Sequence, residues 1–234
     1  MLSLQKVFED KWDAFIKIHP VRPIVNFEVR KVIDCGKLSK GFAFYECGHC
    51  GNYKMVPFRC KSRVCNSCGY QYQKFRADKV KSKLINCQHR HLVFTIAEEL
   101  RIFFRRDRNL LHILFHSAAD TISAWLLDRN KAKRLTCGMI ATLHTFGRDL
   151  KWNPHIHMLV SMGAKGINTP FEKFNFIPFE MLRKRFMTTL LFHLKKAVNS
   201  YTFKILVDKL YASKTNGFYV YAYAKITNFC STSI

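Results

Sequence analysis

Two Cys-x-x-Cys pairs, separated by 14 residues, constrain the fold of this chain more than any other feature of its sequence. Zinc takes four tetrahedral ligands, and one such pair supplies two thiolates from a single tight turn. Two pairs at this spacing therefore predict a zinc site that stabilises the surrounding segment. The predicted ligands are Cys47 and Cys50 from the first pair and Cys65 and Cys68 from the second.

The remaining cysteines leave the ligand set and the number of ions open. Cys60 and Cys35 lie close in sequence, so either could replace one of the four, or six cysteines could share two ions. His49 is another possible ligand. A redox dithiol is the alternative for a single pair, but two pairs in a glycine-rich, turn-rich segment favour metal. Three isolated cysteines are expected to pack as small apolar residues: Cys87, Cys137 and Cys230.

Composition excludes several classes of protein. The 234 residues are 48% hydrophobic and 24% charged, which excludes a disordered basic tail. No uninterrupted apolar run approaches the roughly 18 residues of a membrane span, so we expect no transmembrane protein. Residues 1–18 mix charges into their apolar positions, unlike a secretory signal. These features predict a reducing, cytoplasmic compartment, where nine cysteines are metal ligands or core residues rather than disulfides.

The distribution of charge predicts a polyanionic partner. The formal net charge is +23, and residues 35–90 carry twelve basic side chains against two acidic ones. Lysine and arginine bind phosphates by releasing counterions, whereas solubility alone would not require such depletion of acids. We therefore expect the cysteine segment to present a basic face to DNA. The candidate DNA-binding residues around the pairs are Arg59, Lys61, Arg63 and Lys74.

The hydrophobic pattern predicts an α+β protein in which an antiparallel sheet with flanking helices follows a turn-rich zinc module. The expected domains are a helical lead-in at 1–34, the zinc module at 35–90 and a sheet domain at 91–234. Predicted helices are 4–18, 71–85, 107–127, 178–198 and 203–211. Predicted strands are 91–96, 137–146, 154–161 and 218–224, of which the second and third should form an antiparallel hairpin.

The third of these strands carries a His-x-His pattern. Side chains alternate across a strand, so His155 and His157 point to one face and Ile156 to the other. Two neutral imidazoles so placed can hold a divalent metal. Histidines that only pack in a core are the plain alternative. His144, on the neighbouring predicted strand, is a candidate third ligand, but a one-residue change of hairpin register would move it to the opposite face.

These motifs occur in an order that resembles rolling-circle insertion-sequence transposases of the HUH endonuclease class. The resemblance covers roughly residues 30–225 and depends on the ordered combination more than on any one motif. Val64 departs from it, since such sequences often carry histidine there. The matching segments are Tyr45-Glu-Cys-Gly-His-Cys-Gly51, Cys60-Lys-Ser-Arg-Val-Cys-Asn-Ser-Cys68, His91-Leu-Val-Phe-Thr95, Leu143-His-Thr-Phe-Gly147 and Pro154-His-Ile-His157.

The resemblance implies a zinc domain followed by a nuclease domain that acts on single-stranded or hairpin DNA at transposon ends. By it, Cys47, Cys50, Cys65 and Cys68 are zinc ligands. His155 and His157 would hold a catalytic Mg²⁺ or Mn²⁺, which polarises the scissile phosphate for attack by a tyrosine.

The nucleophile is where the sequence departs most from that class, whose tyrosine lies on a helix after the last strand. Here no tyrosine follows Tyr223, and the alternation of Tyr219, Tyr221 and Tyr223 is typical of cross-strand packing. We therefore expect a carboxy-terminally truncated transposase without strand-transfer activity.

Two other functions remain possible from the sequence. The first is a zinc-dependent DNA-binding fragment that grips transposon ends without cutting them. The second is an unrelated metallohydrolase, although the next histidine after His157 is His193, in a predicted helix.

Overall fold

The computed structural model describes residues 3–222, which form two compact units that meet in sequence between Leu84 and Ile85. The helical lead-in and the cysteine segment therefore share the first unit, and the division falls at residue 84 rather than 90. Within residues 3–222 the fold is α+β, with antiparallel sheets, helices and a cluster of cysteines.

The first unit begins with two helices, α1 (Leu4–Ile18) and α2 (Pro23–Ile33). The predicted helix at 4–18 is confirmed: the Ser3 side chain caps it by accepting from the Lys6 amide at 3.2 Å. Trp12 is buried and donates to Asn26 of α2 at 2.9 Å. The Gln5 amide donates to the carbonyls of Ile33 and Cys35 at 3.0 Å each, which attaches α1 to the start of the cysteine segment.

A two-stranded hairpin and a third helix complete the first unit. Strands β1 (Phe42–Glu46) and β2 (Tyr53–Pro57) pair antiparallel, and α3 spans Asn66–Lys81. Helix α3 begins five residues before the predicted start at 71, because the Cys65–Cys68 turn continues directly into it. This unit has a small apolar core of its own, with Val32, Cys35 and Cys65 as its buried members.

The described part of the second unit contains a five-stranded antiparallel sheet with helices packed on one face. Strand order is β4-β5-β3-β7, with β6 paired to β5. The strands are β3 (His89–Thr95), β4 (Thr136–Phe146), β5 (Trp152–Lys165), β6 (Glu172–Lys173) and β7 (Val220–Ala222). The helices are α4 (Arg101–Arg106), α5 (Leu111–Arg129), α6 (Phe179–Val198) and α7 (Tyr201–Ser213).

The predicted hairpin at 137–161 is confirmed by the β4–β5 pair, whose turn follows Phe146. Alternation along the strands separates two faces, as the sequence pattern predicts. Phe94 and Ile156 are fully buried against the helices, and Phe94 meets Phe186 of α6 edge to face, with ring centroids 5.0 Å apart. The opposite face carries the histidines.

One helix is apolar in composition, although the sequence contains no uninterrupted apolar run of membrane-spanning length. Residues Arg108–Arg129, which include α5, are long and apolar enough to cross a membrane by length and composition alone. However, Leu114, Ile122 and Leu126 of α5 are buried in the core of the second unit. The apolar side chains of this helix are accounted for by packing.

Candidate functional site

Four cysteine sulfurs in the first unit meet at one point: Cys35, Cys60, Cys65 and Cys68. The Cys35–Cys68, Cys60–Cys68 and Cys65–Cys35 sulfur pairs are 3.6, 3.7 and 3.7 Å apart. Four sulfurs around one Zn²⁺ at about 2.3 Å lie about 3.8 Å from one another by tetrahedral geometry. A disulfide would bring two of them to about 2.0 Å. The four sulfurs therefore fit a zinc ion.

This set differs from the predicted one. Cys65 and Cys68 are brought together with Cys60 and Cys35, the two cysteines that the sequence offered either as replacements or as further ligands of a two-ion site. Cys47 and Cys50 instead lie exposed in the turn of the β1–β2 hairpin, together with His49. Each strand of that hairpin has five residues, which separates its tip from its base by roughly 15 Å. Because Cys60 follows the base of β2 and Cys47 follows the far end of β1, the two pairs cannot converge.

Backbone amides surround the sulfur cluster. The Cys60 amide donates to the Cys35 sulfur at 3.5 Å, and the Ser62 amide donates to the Cys60 sulfur at 3.4 Å. Burial raises the pKa of the Cys60 thiol to about 12. Burial also opposes ionisation of Cys35, but hydrogen bonds from the Cys60 amide and the neighbouring thiols lower the pKa of Cys35 to about 7. Four thiolates at this point need a cation to balance their charge.

A close backbone contact shapes the segment that carries three of these cysteines, where the loop before α3 meets the first turn of that helix. A Cβ built on Gly69 would lie 2.7 Å from the Arg63 carbonyl oxygen, and the Gly69 amide donates to the Cys65 carbonyl at 2.7 Å. The backbone of the Cys65–Cys68 turn therefore lies in close contact with the preceding loop. Only glycine fits this position without a shift of the backbone.

Three histidines cluster on the sheet face opposite the buried Phe94 and Ile156: His144, His155 and His157. His144 pairs directly with His155 across β4 and β5, so the register brings the candidate third ligand to the face of the other two. The register shifts between Cys137 and Met139 and again between His144 and Phe146, so the pairing is regular from Met139 to His144. Their ligand nitrogens all lie within 4.8 Å of one another, close enough for one ion.

Hydrogen bonds hold two rings of this cluster, and one of them fixes the tautomer of His155. His155 Nδ1 lies 2.6 Å from the Asn153 carbonyl, which can only accept, so Nδ1 carries the proton and Nε2 keeps its lone pair. His157 Nδ1 lies 2.8 Å from His91 Nε2. If His157 donates to His91, its own Nε2 is also left available, as metal ligands require. His91 comes from β3, and sequence reasoning missed it because its position depends on long-range strand pairing.

The electrostatics of the cluster favour neutral imidazoles. Burial lowers the pKa of His157 to about 4, and the nearby His144, His155 and His91 act in the same direction. Burial and His155 lower the pKa of His144, and burial and His144 lower that of His91. Neutral imidazole is the form that binds metals. The cluster is therefore prepared for a cation near neutral pH.

The four candidate DNA-binding residues are all exposed in the first unit. Arg59 and Lys61 line a cavity beside Cys68, whereas Lys74 lies on α3 outside that cavity. Arg63 donates to the Tyr72 hydroxyl at 3.2 Å, and Arg76 donates to the same oxygen at 3.1 Å. The Arg76 hydrogen bond and the charge of Arg63 lower the pKa of that phenol.

The remaining predictions from the sequence concern three tyrosines and the isolated cysteines. Tyr219 and Tyr221 stack with their ring planes 6° apart, consistent with packing along a strand. Cys137 packs partly buried against the core, and Cys87 is half-buried. Tyr223 and Cys230 lie outside the described residues.

Two protein-family models and two curated proteins match this chain. A family model described as a transposase zinc-binding domain matches residues 7–96, and one described as a putative transposase matches residues 138–227. The transposase for insertion sequence element IS801 of Pseudomonas savastanoi pv. phaseolicola is 33% identical over 178 residues, which cover 75% of this chain and 42% of that protein. The putative transposase y4qJ of Sinorhizobium fredii is 25% identical over 219 residues, which cover 91% of this chain and 54% of that protein. The chain thus spans about half the length of these relatives. No solved structure matches it.

Proposed function

We propose that this chain, which belongs to the transposases that the two family models describe, acts in DNA transposition. In this proposal it holds a phosphodiester of single-stranded or hairpin DNA at a divalent metal. The observation that carries this proposal is the cluster of three histidines on one sheet face, His144, His155 and His157. The HUH-type nuclease fold and the DNA-facing role of the zinc module are parts of the same proposal.

The chemistry of the donors supports a metal that accepts nitrogen ligands. Three imidazoles suit a transition metal such as Mn²⁺ better than Mg²⁺, which prefers oxygen ligands and water. When bound, the ion would polarise a non-bridging phosphate oxygen as a Lewis acid. Since the ligand group found within residues 3–222 contains no carboxylate, the full positive charge of the ion would face the phosphate.

The chain's own residues hold and orient this site. The Asn153 carbonyl fixes the proton of His155 on Nδ1, and His91 orients the ring of His157. The helix-packed face of the same strands holds their register, because a one-residue slip would expose Ile156 and bury the histidines. The zinc module would add affinity through the twelve basic side chains of residues 35–90.

Thermodynamic linkage tests the proposal without requiring cleavage. The affinity of the zinc-loaded chain for a hairpin oligonucleotide with a single-stranded flank is measured with and without Mn²⁺. If the ion contacts the phosphate, Mn²⁺ should raise the affinity about 5- to 150-fold, and His157→Ala should abolish that increase. An increase that persists in His157→Ala, or no increase in the wild type, would contradict the proposal.

DNA binding without cleavage is the second candidate function, favoured by the concentration of basic side chains in residues 35–90. Denaturing gels of the same samples separate the two. Mn²⁺-dependent nicking supports a nuclease, whereas tight binding with intact DNA supports the binding fragment.

A further inference from the structure

A cavity of about 670 Å³ opens beside the cysteine cluster of the first unit. Its walls come from the loop before α3 and from the first turns of that helix, and Cys68 forms part of one wall. Cavities of about 300–1,000 Å³ are typical of sites for small organic molecules. The size therefore suits one nucleotide rather than a protein segment.

Two kinds of side chain line this cavity. Arg59 and Lys61 supply positive charge, and Tyr70 and Tyr72 supply aromatic rings. The two tyrosines differ in their surroundings. Arg63 and Arg76 hold the Tyr72 ring, with guanidinium carbons 5.0 and 5.7 Å from its centroid. Tyr70 is 64% exposed.

This combination matches the chemistry of single-stranded DNA. Proteins bind single strands by stacking bases on aromatic rings while a positively charged groove follows the phosphates. In a duplex the faces of the bases are stacked on one another, so a duplex would use Arg59 and Lys61 but leave Tyr70 without a role.

We propose that this cavity binds one unstacked nucleotide of single-stranded DNA, with its base against the ring of Tyr70 and its phosphate against Arg59 and Lys61. The inference deepens the proposed function, on which it rests for the identity of the ligand as DNA. It places recognition of a base in the zinc module, in addition to the phosphate contact proposed at the histidine cluster.

The cysteine cluster would determine the shape of this site. Cys68 lines the cavity, and Arg59 and Lys61 flank Cys60 in the sequence. A metal that holds Cys60 and Cys68 together would therefore hold the basic and aromatic walls at a fixed separation.

Abasic DNA provides the test, because it keeps the phosphates and removes the bases. Fluorescence anisotropy compares the zinc-loaded full chain on a twelve-nucleotide thymidine strand and on an abasic strand of the same length, without Mn²⁺. Loss of one stacked base should weaken binding about 5- to 150-fold. Tyr70→Ala should lose this preference for the base-containing strand, and Tyr70→Phe should retain it.

Phe75→Ala is the matched control, because Phe75 is also exposed on α3, at 67%, but does not line the cavity. It should keep the wild-type preference. Arg59→Gln and Lys61→Gln should each reduce the slope of log affinity against log salt by about 0.7 on both strands. Equal binding of the two strands by the wild type, or an unchanged preference in Tyr70→Ala, would overturn the inference.

Failure of this inference can be separated from failure of the proposed function. A chain carrying both His155→Ala and His157→Ala should keep the base preference, because those residues belong to the second unit. If the chain binds both strands but shows no preference for the one with bases, only the nucleotide site is overturned. Failure to bind either strand at low salt overturns the site and the assignment of DNA as the ligand together.

Discussion

The cysteine cluster predicts that Cys35, not Cys47 or Cys50, is essential for zinc binding. We compare Cys35→Ser with Cys50→Ser, a matched change at an exposed cysteine in the hairpin turn. In the structure Cys35 is buried, and its sulfur lies 3.6 Å from that of Cys68 and 3.7 Å from that of Cys65. Its removal would take one of four ligands from the ion.

The magnitude follows from the energetics of structural zinc sites. Such sites contribute about 10–16 kcal/mol, so one of four thiolates corresponds to about 2.5–4 kcal/mol, or two to three orders of magnitude in affinity. The apolar cluster around these cysteines is small, with Val32, Cys35 and Cys65 as its buried members, and Trp12 and Val29 are the other buried apolar residues in the described part of this unit. We expect unfolding of the first unit to follow zinc loss.

Competition with a chromophoric zinc chelator measures this affinity, and elemental analysis gives the zinc content. Wild type and Cys50→Ser should bind zinc within about threefold of each other, whereas Cys35→Ser should lose it to the chelator. Loss of zinc in Cys50→Ser together with retention in Cys35→Ser would refute the ligand set that the structure brings together.

Three further predictions concern other parts of the two sites. Gly69→Ala should destabilise the first unit by about 1–3 kcal/mol in denaturant unfolding, because its Cβ would meet the Arg63 carbonyl; wild-type stability would refute the close contact. His91→Phe should weaken Mn²⁺ binding about 10- to 100-fold, because it removes the hydrogen-bond partner of His157; an unchanged calorimetric affinity would exclude the orienting role. Without Mn²⁺, the second unit should lose stability as pH falls from about 6.5 to about 4, since the lowered pKa of His157 means that the unfolded chain binds more protons in that window; His157→Gln should reduce this dependence in denaturant titrations.

Local patterns predicted the elements of the fold because local contacts determine them. Helix α1 has its apolar residues at helical spacing and a serine cap, and the β4–β5 hairpin has alternating strands joined by a short turn. Helix α2 was not predicted, although Pro23 occupies the favoured first-turn position. A short helix with few buried positions gives a weak periodic signal.

Which residues form the two sites depends on contacts between segments that are distant in sequence. Alternation placed His155 and His157 on one face, but only the β4–β5 register brings His144 to them and only the β3–β5 pairing brings His91. In the same way, the spacing of the cysteines favoured two equivalent pairs. The β1–β2 hairpin carries one of these pairs away and leaves Cys35, distant in sequence, at the cluster.

A Mn²⁺ titration of the zinc-loaded chain, followed by the electron paramagnetic resonance signal of the free ion, tests the central claim most directly. One ion should bind per chain, and His144→Ala, His155→Ala and His157→Ala should each weaken it at least tenfold, while His193→Ala, an exchange on α6, should not. Absence of Mn²⁺ binding by the wild type, or equal binding by all four variants, would contradict a metal site at the three histidines.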